Sequence, residues 1–261
     1  MRIRADGYAK CFRCGWVGWL DGRVSKREAE AARQRQRRYP RIIDKIVAET
    51  VPLTPESPPG RYLRSRRLVA PWGDDPGWPD DIRSHAGLKH GPSKEKFPAM
   101  VTLLRDRGGK LRAIHRTYLT AGGHKAPVEP VRMVLGSLKG VGFHAEPLPT
   151  RTPAGELVYG PGHAQPRTVV CVCEGIEDAL ALRLFYPGFG AWATISASNM
   201  RSNVPPPSYR YAKVVADDDR VGRRAAEALF ALMRDAGWGC SVSTVDGFKD
   251  AAEAWEAHAA S

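Results

Sequence analysis

At 261 residues, with 43% hydrophobic and 26% charged residues, the chain has the composition of an ordinary globular protein and the length for one large domain or two small ones. No run of about 18 apolar residues exists to span a membrane, the N-terminus lacks the apolar core of a secretory signal, and five cysteines make no disulfide framework, so cytoplasmic residence without membrane contact is expected. A net charge of +12 favours polyanionic partners, because neutralised phosphates release their counterions.

Residues 1–22 predict a small hairpin around CFRCGW. Residues 25–49, SKREAEAARQRQRRYPRIIDKIVAE, predict a basic helical arm interrupted at Pro40. VPLTPESPPG (51–60) reads as a proline-rich linker, and RYLRSRRL after it starts a short helix with a second basic cluster at Arg61, Arg64, Arg66 and Arg67. Residues 70–96 hold many turn formers and no period, which predicts irregular structure. FPAMVTLLRD and KLRAIHRTYLT, joined across Gly108-Gly109, predict a β-hairpin, and RMVLGSL and GFHAEPL continue as short strands of a mostly antiparallel subdomain.

From residue 161 the texture is that of an alternating α/β layer fold with a parallel-type sheet. TVVCVCE (168–174) is a strand buried on both faces that ends on a carboxylate, followed by the helix GIEDALALRLFY and the strand GAWATIS. YAKVVADDD is a third strand ending in acids. VGRRAAEALFALMRDAG is an amphipathic helix stopped at Gly237, and CSVSTVD and DAAEAWEAHAA supply one more strand and helix. The expected organisation is therefore 1–22, 23–60, 61–160 and 161–261.

Ligands of open parallel sheets bind beyond the carboxyl ends of the strands. Two strands here carry acids to that edge, Glu174 on one and Asp217 to Asp219 on the other. Asp217 and Asp219, two apart, share a side in extended chain. Adjacent strands lie about 4.8 Å apart, so Glu174 can share their pocket if the two strands are neighbours. Three such carboxylates repel unless a cation sits among them, and Mg²⁺ suits a few carboxylates plus water and phosphate oxygens. The competing use of each acid alone is helix capping, Asp219 for the helix at Val221 and Glu174 for the dipole of the helix after it.

CEGIEDAL and VVADDDRVGRRAA resemble the E-G-x-x-[DE]-A and D-x-D motifs of the TOPRIM domains of primases, and the order of elements around them agrees. Upstream, AIHRTYLTAGGHKAPVEPVRMVLG resembles the segment that precedes TOPRIM in phage and plasmid primase-like proteins. The resemblance implies Glu174 as general acid/base and Asp217 and Asp219 as ligands of Mg²⁺ or Mn²⁺, with no metal assigned to Asp218. Lys249 and Asp250 resemble a G-K-D motif in which Phe248 replaces the glycine, which makes Asp250 a weaker metal candidate and Lys249 a nucleic-acid contact. His115, Arg116, Lys125 and Arg132 match the upstream segment, with chemistry suited to nucleotide or template phosphates.

Cys11 and Cys14 form half of a zinc ribbon. A structural zinc site needs four ligands, and no second pair precedes Cys11, while His85 and His90 lie far off among turn residues, so Zn²⁺ is not expected at an intact site.

The implied activity is a primase-like nucleotidyltransferase that joins ribonucleoside triphosphates on single-stranded DNA, with any helicase a separate protein. Two alternatives remain open: a TOPRIM nuclease using the same acids, and a non-catalytic nucleic-acid-binding remnant. Trp16, Trp19, Trp72 and Trp78 could stack on bases, although core packing is the commoner use of tryptophan.

Overall fold

The computed structural model describes residues 2–3, 8–10, 17–19, 39–70, 77–146, 149–151, 157–159 and 168–261. Cys11, Cys14, Trp16, Trp72 and the basic run 23–38 lie outside them. The chain divides into two units, Met1–Tyr62 with Asp80–Leu104 and Leu111–Leu138, and Leu63–Pro79 with Arg105–Lys110 and Lys139–Ser261.

In the first unit β1 (Arg2–Ile3), β2 (Tyr8–Lys10) and β3 (Val17–Trp19) make a three-stranded antiparallel sheet, with Tyr8 opposite Trp19. Among the described residues 39–48 are helical (α1) and include Pro40, while the part of the basic arm before residue 39 lies outside them. The proline-rich linker is corrected. Val51–Pro52 (β4) pairs along a neighbouring strand, and α2 (Pro58–Ser65) already begins at Pro58. Proline is tolerated in a helix's first turn, where its missing N–H has no intrahelical partner to lose, and the Ser57 hydroxyl accepts from the Gly60 N–H at 3.2 Å.

The reading of 70–96 as irregular is overturned for its second half, where Ile82–Lys89 is a strand, β5. Its residues are poor strand formers, and a register shift between His85 and Leu88 breaks the alternation that would have revealed it. The long β6 (Lys96–Asp106) and β7 (Leu111–Tyr118) form the expected hairpin, and β8 (Arg132–Gly136) pairs with β7. The hairpin turn is fixed by Asp106, whose Oδ1 accepts from Gly108 and Lys110, with Gly109 at φ +83°. Ile43, Leu88, Ala99, Val101, Ile114, Tyr118 and Met133 are core residues of this unit.

In the second unit β9 (Val141–Ala145) meets the end of β6 through Arg105 and Asp106, and β10 (Pro149–Arg151) pairs with β11 (Leu157–Tyr159). Four strands follow with helices between them: β12 (Val169–Cys173), α3 (Ile176–Phe185), β13 (Gly190–Ala193), the short α4 (Ala197–Met200), β14 (Tyr211–Val215), α5 (Arg220–Asp235), β15 (Gly239–Ser243) and α6 (Ala251–His258). The strand order β15-β14-β12-β13 is parallel throughout, and β9 adds antiparallel to β13. This is the expected mixed α/β class: a parallel sheet at the C-terminus and antiparallel strands before it.

Burial explains the order. β12 lies inside the sheet with Val170 to Cys173 all buried, as a continuous apolar run requires. Helix α3 is buried from Ile176 to Leu184, so it has no solvent face to mark with polar residues. Cys171 and Cys173 behave as small hydrophobes there, and burial pushes the Cys171 thiol up to about 12. Trp78 is half-buried and donates its indole N–H to the Leu68 carbonyl at 2.7 Å. Among the described residues no helix is long and apolar enough to cross a membrane.

Candidate active site

The parallel strands β12, β14 and β15 are consecutive neighbours, and each delivers its acids at its carboxyl end, where the next helix starts. Glu174 follows β12 and is buried. Its carbonyl accepts the Ile195 N–H at 2.8 Å from the end of β13. Ile195 itself has φ +70°, a conformation that a β-branched residue adopts only under constraint. Asp217 and Asp219 follow β14, and Asp250 follows the turn after β15. The Asp218 N–H donates to the Lys249 carbonyl at 2.8 Å, which draws the two acidic loops together.

The helix-capping use of Asp219 is realised. Its Oδ1 accepts from Val221 N–H at 2.8 Å and Gly222 N–H at 2.7 Å. Asp250 likewise caps α6 through the Glu253 N–H at 2.9 Å. Both caps use Oδ1 alone, so capping does not preclude a second role for either carboxylate. Asp218 pairs with Arg223. Helices α3, α5 and α6 all begin at this edge, and the positive ends of their dipoles favour the concentration of negative charge there.

Even so, the charges are not balanced. Burial first, then Glu174, Asp250 and Asp219, push the Asp217 carboxyl up to about 6, and Lys249 only partly offsets them. A further buried carboxylate, Asp178, is pushed up to about 7 by burial, then by Asp250 and Asp217. Asp178 stands at the acidic position of the E-G-x-x-[DE]-A pattern, which is the signal for it in the sequence.

These groups suit a divalent cation in chemistry, because such an ion removes the mutual repulsion that raises Asp217. Among the described residues no three histidine, cysteine or acidic side chains converge as a ready-made cage. Mg²⁺ needs none, since it is held by one or two carboxylates with water and phosphate oxygens filling its octahedron.

Gly222 sets how closely α5 approaches the site. A Cβ there would stand 2.8 Å from the Asp217 carbonyl oxygen and 3.0 Å from its Cβ. Alanine would gain about 1 kcal/mol of helix propensity but must push α5 off backbone atoms, a strain of about 1–3 kcal/mol. Gly222→Ala is therefore expected to lose about 1 kcal/mol in chemical denaturation, the middle of that strain range less the propensity gained. Unchanged stability would mean that α5 shifts freely and does not position Asp217.

The upstream residues fall in the first unit and on two faces of one strand pair. Thr117 is opposite Arg132 and His115 opposite Val134, so His115 and Arg132 share a face. Arg116, opposite Met133, shares the other face with core residues Ile114 and Tyr118. Lys125 is exposed beside β7, bridged through Leu119. Arg116 is buried, with its Nη1 3.4 Å from the Tyr118 hydroxyl and no partner for Nε. Burial lowers its pKa, Tyr118 and Tyr39 oppose this only in part, and among the described residues no carboxylate acts on it. Arg116→Met is expected to be at least as stable as the parent, by up to about 1–2 kcal/mol, because it removes an uncompensated buried cation. A clear fall in melting temperature would make Arg116 a structural anchor instead.

The second basic cluster is largely engaged within the fold. Arg61 donates to the Ala121 carbonyl, Arg66 pairs with Glu256, and Arg67 donates to the Ala259 carbonyl. Of the two histidines near it in sequence, His85 bonds to Glu49 and His90 lies between Ser93 and the Pro130 carbonyl.

Residues 37–145 match a family described as a domain of unknown function (DUF7146), and residues 169–261 match the Toprim domain family. No curated protein matches the chain. Among solved structures it is similar to the primase fragment of the bacteriophage T7 primase-helicase protein, 15% identical over 96% of this chain and 86% of that one, with TM-score 0.41. It is also similar to a DnaG primase catalytic domain bound to ssDNA, 18% identical over 88% and 78%, TM-score 0.42. For the E. coli primase catalytic core the figures are 17% identity, 60% and 47% coverage, and TM-score 0.35, so the chain spans under half of that core's length.

Proposed function

We propose that the chain, whose residues 169–261 match the Toprim domain family, is a primase-like nucleotidyltransferase, making short RNA on single-stranded DNA from ribonucleoside triphosphates. The observation that carries this reading is that Glu174, Asp217, Asp219 and Asp250 follow the carboxyl ends of three adjacent parallel strands, near enough that Glu174, Asp250 and Asp219 each raise the Asp217 carboxyl.

In this reading Asp217 and Asp219, with Asp250 beside them, hold Mg²⁺ or Mn²⁺. The ion, when bound, supplies charge stabilisation for phosphoryl transfer and lowers the pKa of the attacking hydroxyl. Glu174, buried at the strand end, takes that hydroxyl's proton. Lys249, already within electrostatic reach of Asp217, contacts substrate phosphate. In the first unit Arg116 offers a guanidinium without a carboxylate partner among the described residues, and His115, Lys125 and Arg132 add polar and cationic groups suited to nucleotide or template phosphates. Any unwinding falls to a separate helicase.

The test is to incubate the purified chain with single-stranded DNA, labelled ribonucleotides and Mg²⁺, beside an EDTA control. Short labelled oligomers formed only with Mg²⁺ support the primase. Shortened DNA without oligomers makes the same acids those of a nuclease. DNA binding without either product leaves a binding module.

A further inference from the structure

We propose that Asp178 is a positioning residue of this site, a buried clasp that sets the separation of the loops carrying Glu174 and Asp250; this rests on reading Asp217 and Asp219 as metal ligands. Asp178 lies in the first turn of α3. Its Oδ2 accepts from the Gly175 N–H at 3.1 Å, and its Oδ1 accepts from the Ala252 N–H at 3.0 Å. Gly175 directly follows Glu174, and Ala252 is two residues beyond Asp250. One carboxylate therefore joins the first turns of α3 and α6, elements 74 residues apart.

A purely local role would need only the first of these bonds. A capping carboxylate returns to the backbone N–H at the start of its own helix, and the bond to Gly175 does this. The bond to Ala252 does nothing for α3. It holds a second helix whose N-cap is Asp250, one of the charges that raise Asp217. The neighbouring glycine supports the same reading from steric evidence. A Cβ at Gly175 would stand 2.3 Å from Asp178 Oδ2, so the clasp closes only on a residue with no side chain. Asp178 itself is buried, which shields both bonds from water and fixes their geometry. Both carboxylate oxygens are engaged by backbone donors, which suits a group that holds the liganding loops rather than one that ligates.

Groups that orient metal ligands typically change metal affinity by about 10–100-fold when removed. The test measures Mn²⁺ binding to the full chain by electron paramagnetic resonance, beside its melting temperature. Asp178→Asn keeps the shape but turns one acceptor into a donor that faces a backbone N–H. Asp178→Ser keeps one oxygen for the Gly175 N–H and cannot serve both donors. Both variants are expected to bind the same number of Mn²⁺ ions about tenfold more weakly while remaining folded at the assay temperature. Affinity equal to the parent in a folded variant of either kind would overturn the proposal and leave Asp178 a structural cap. Binding abolished as completely as in Asp217→Ala/Asp219→Ala would overturn it too, by making Asp178 a ligand. If Asp217→Ala/Asp219→Ala binds Mn²⁺ like the parent, the metal reading itself fails and the clasp's role at the site fails with it.

Discussion

Replacing Asp217 and Asp219 together by alanine is expected to lower Mg²⁺-dependent product formation by about a thousandfold. A metal at a phosphoryl group contributes several kcal/mol of transition-state stabilisation, and each 1.36 kcal/mol is about a factor of ten in rate. The double variant alone is ambiguous, because Asp219 also caps α5 through two N–H bonds and an alanine there costs about 1 kcal/mol of stability. Asp219→Asn separates the two roles. Asparagine caps a helix about as well as aspartate, but its amide carries no charge and is a weaker ligand for a hard cation. The asparagine variant should therefore keep the parent's melting temperature while its activity falls at least tenfold, with part of the loss recovered at high Mg²⁺. Activity equal to the parent, at unchanged stability, would confine Asp219 to capping and leave Asp217 and Asp250 as the candidate ligands.

The metal-free chain should also become less stable as pH rises across the range in which Asp217 ionises. Its ordinary pKa is 3.8, and in the fold burial and the neighbouring acids push it up to about 6. A group held above its unfolded pKa binds its proton more tightly when folded. Its favourable contribution is complete below about pH 4 and is lost as pH rises through about 6. Two pKa units correspond to about 3 kcal/mol, and the half-buried position of Asp217 reduces this to about 1–2 kcal/mol. Asp217→Asn removes the titration. In EDTA, the melting temperature of the parent relative to Asp217→Asn should therefore fall between pH 4 and pH 7, and Mg²⁺ at pH 7 should restore it in the parent alone. A relative rise over that range would mean that a cation such as Lys249 dominates the carboxylate's surroundings, contrary to the balance of charges at the site.

Much of the second unit was legible in the sequence because its elements carry strong, local signals. An unbroken apolar run such as VVCVC suits only a strand covered on both faces, and β12 is one. The period of VGRRAAEALFALMRDAG and the glycine after it mark α5 and its end, with Gly237 at φ +80°. The spacing of Asp217 and Asp219, and the glutamate at the end of β12, located the acidic edge before any contact was known. Where local signals were weak, reading failed. Ile82–Lys89 is a strand through its pairing with neighbours, since its own residues and its bulge suppress the alternation on which strand reading depends. Pro58 begins a helix in a segment whose prolines suggested a linker, because a proline is harmless where a helix has not yet formed its internal bonds.

By itself the sequence determined the α/β alternation, the strand ends on which the acids stand, and the cationic excess, because each depends on residue type and near-neighbour spacing. Only the tertiary structure decided that β12 and β14 are adjacent, that Asp250 belongs with Glu174 and Asp217, and that Arg132 joins His115 on one face of its strand pair. The same holds for Asp178, whose second hydrogen bond reaches a residue 74 positions away. Such relations depend on which strand the chain returns to and in what register. That choice is made by burying side chains far apart in sequence against one another, and no local pattern records it.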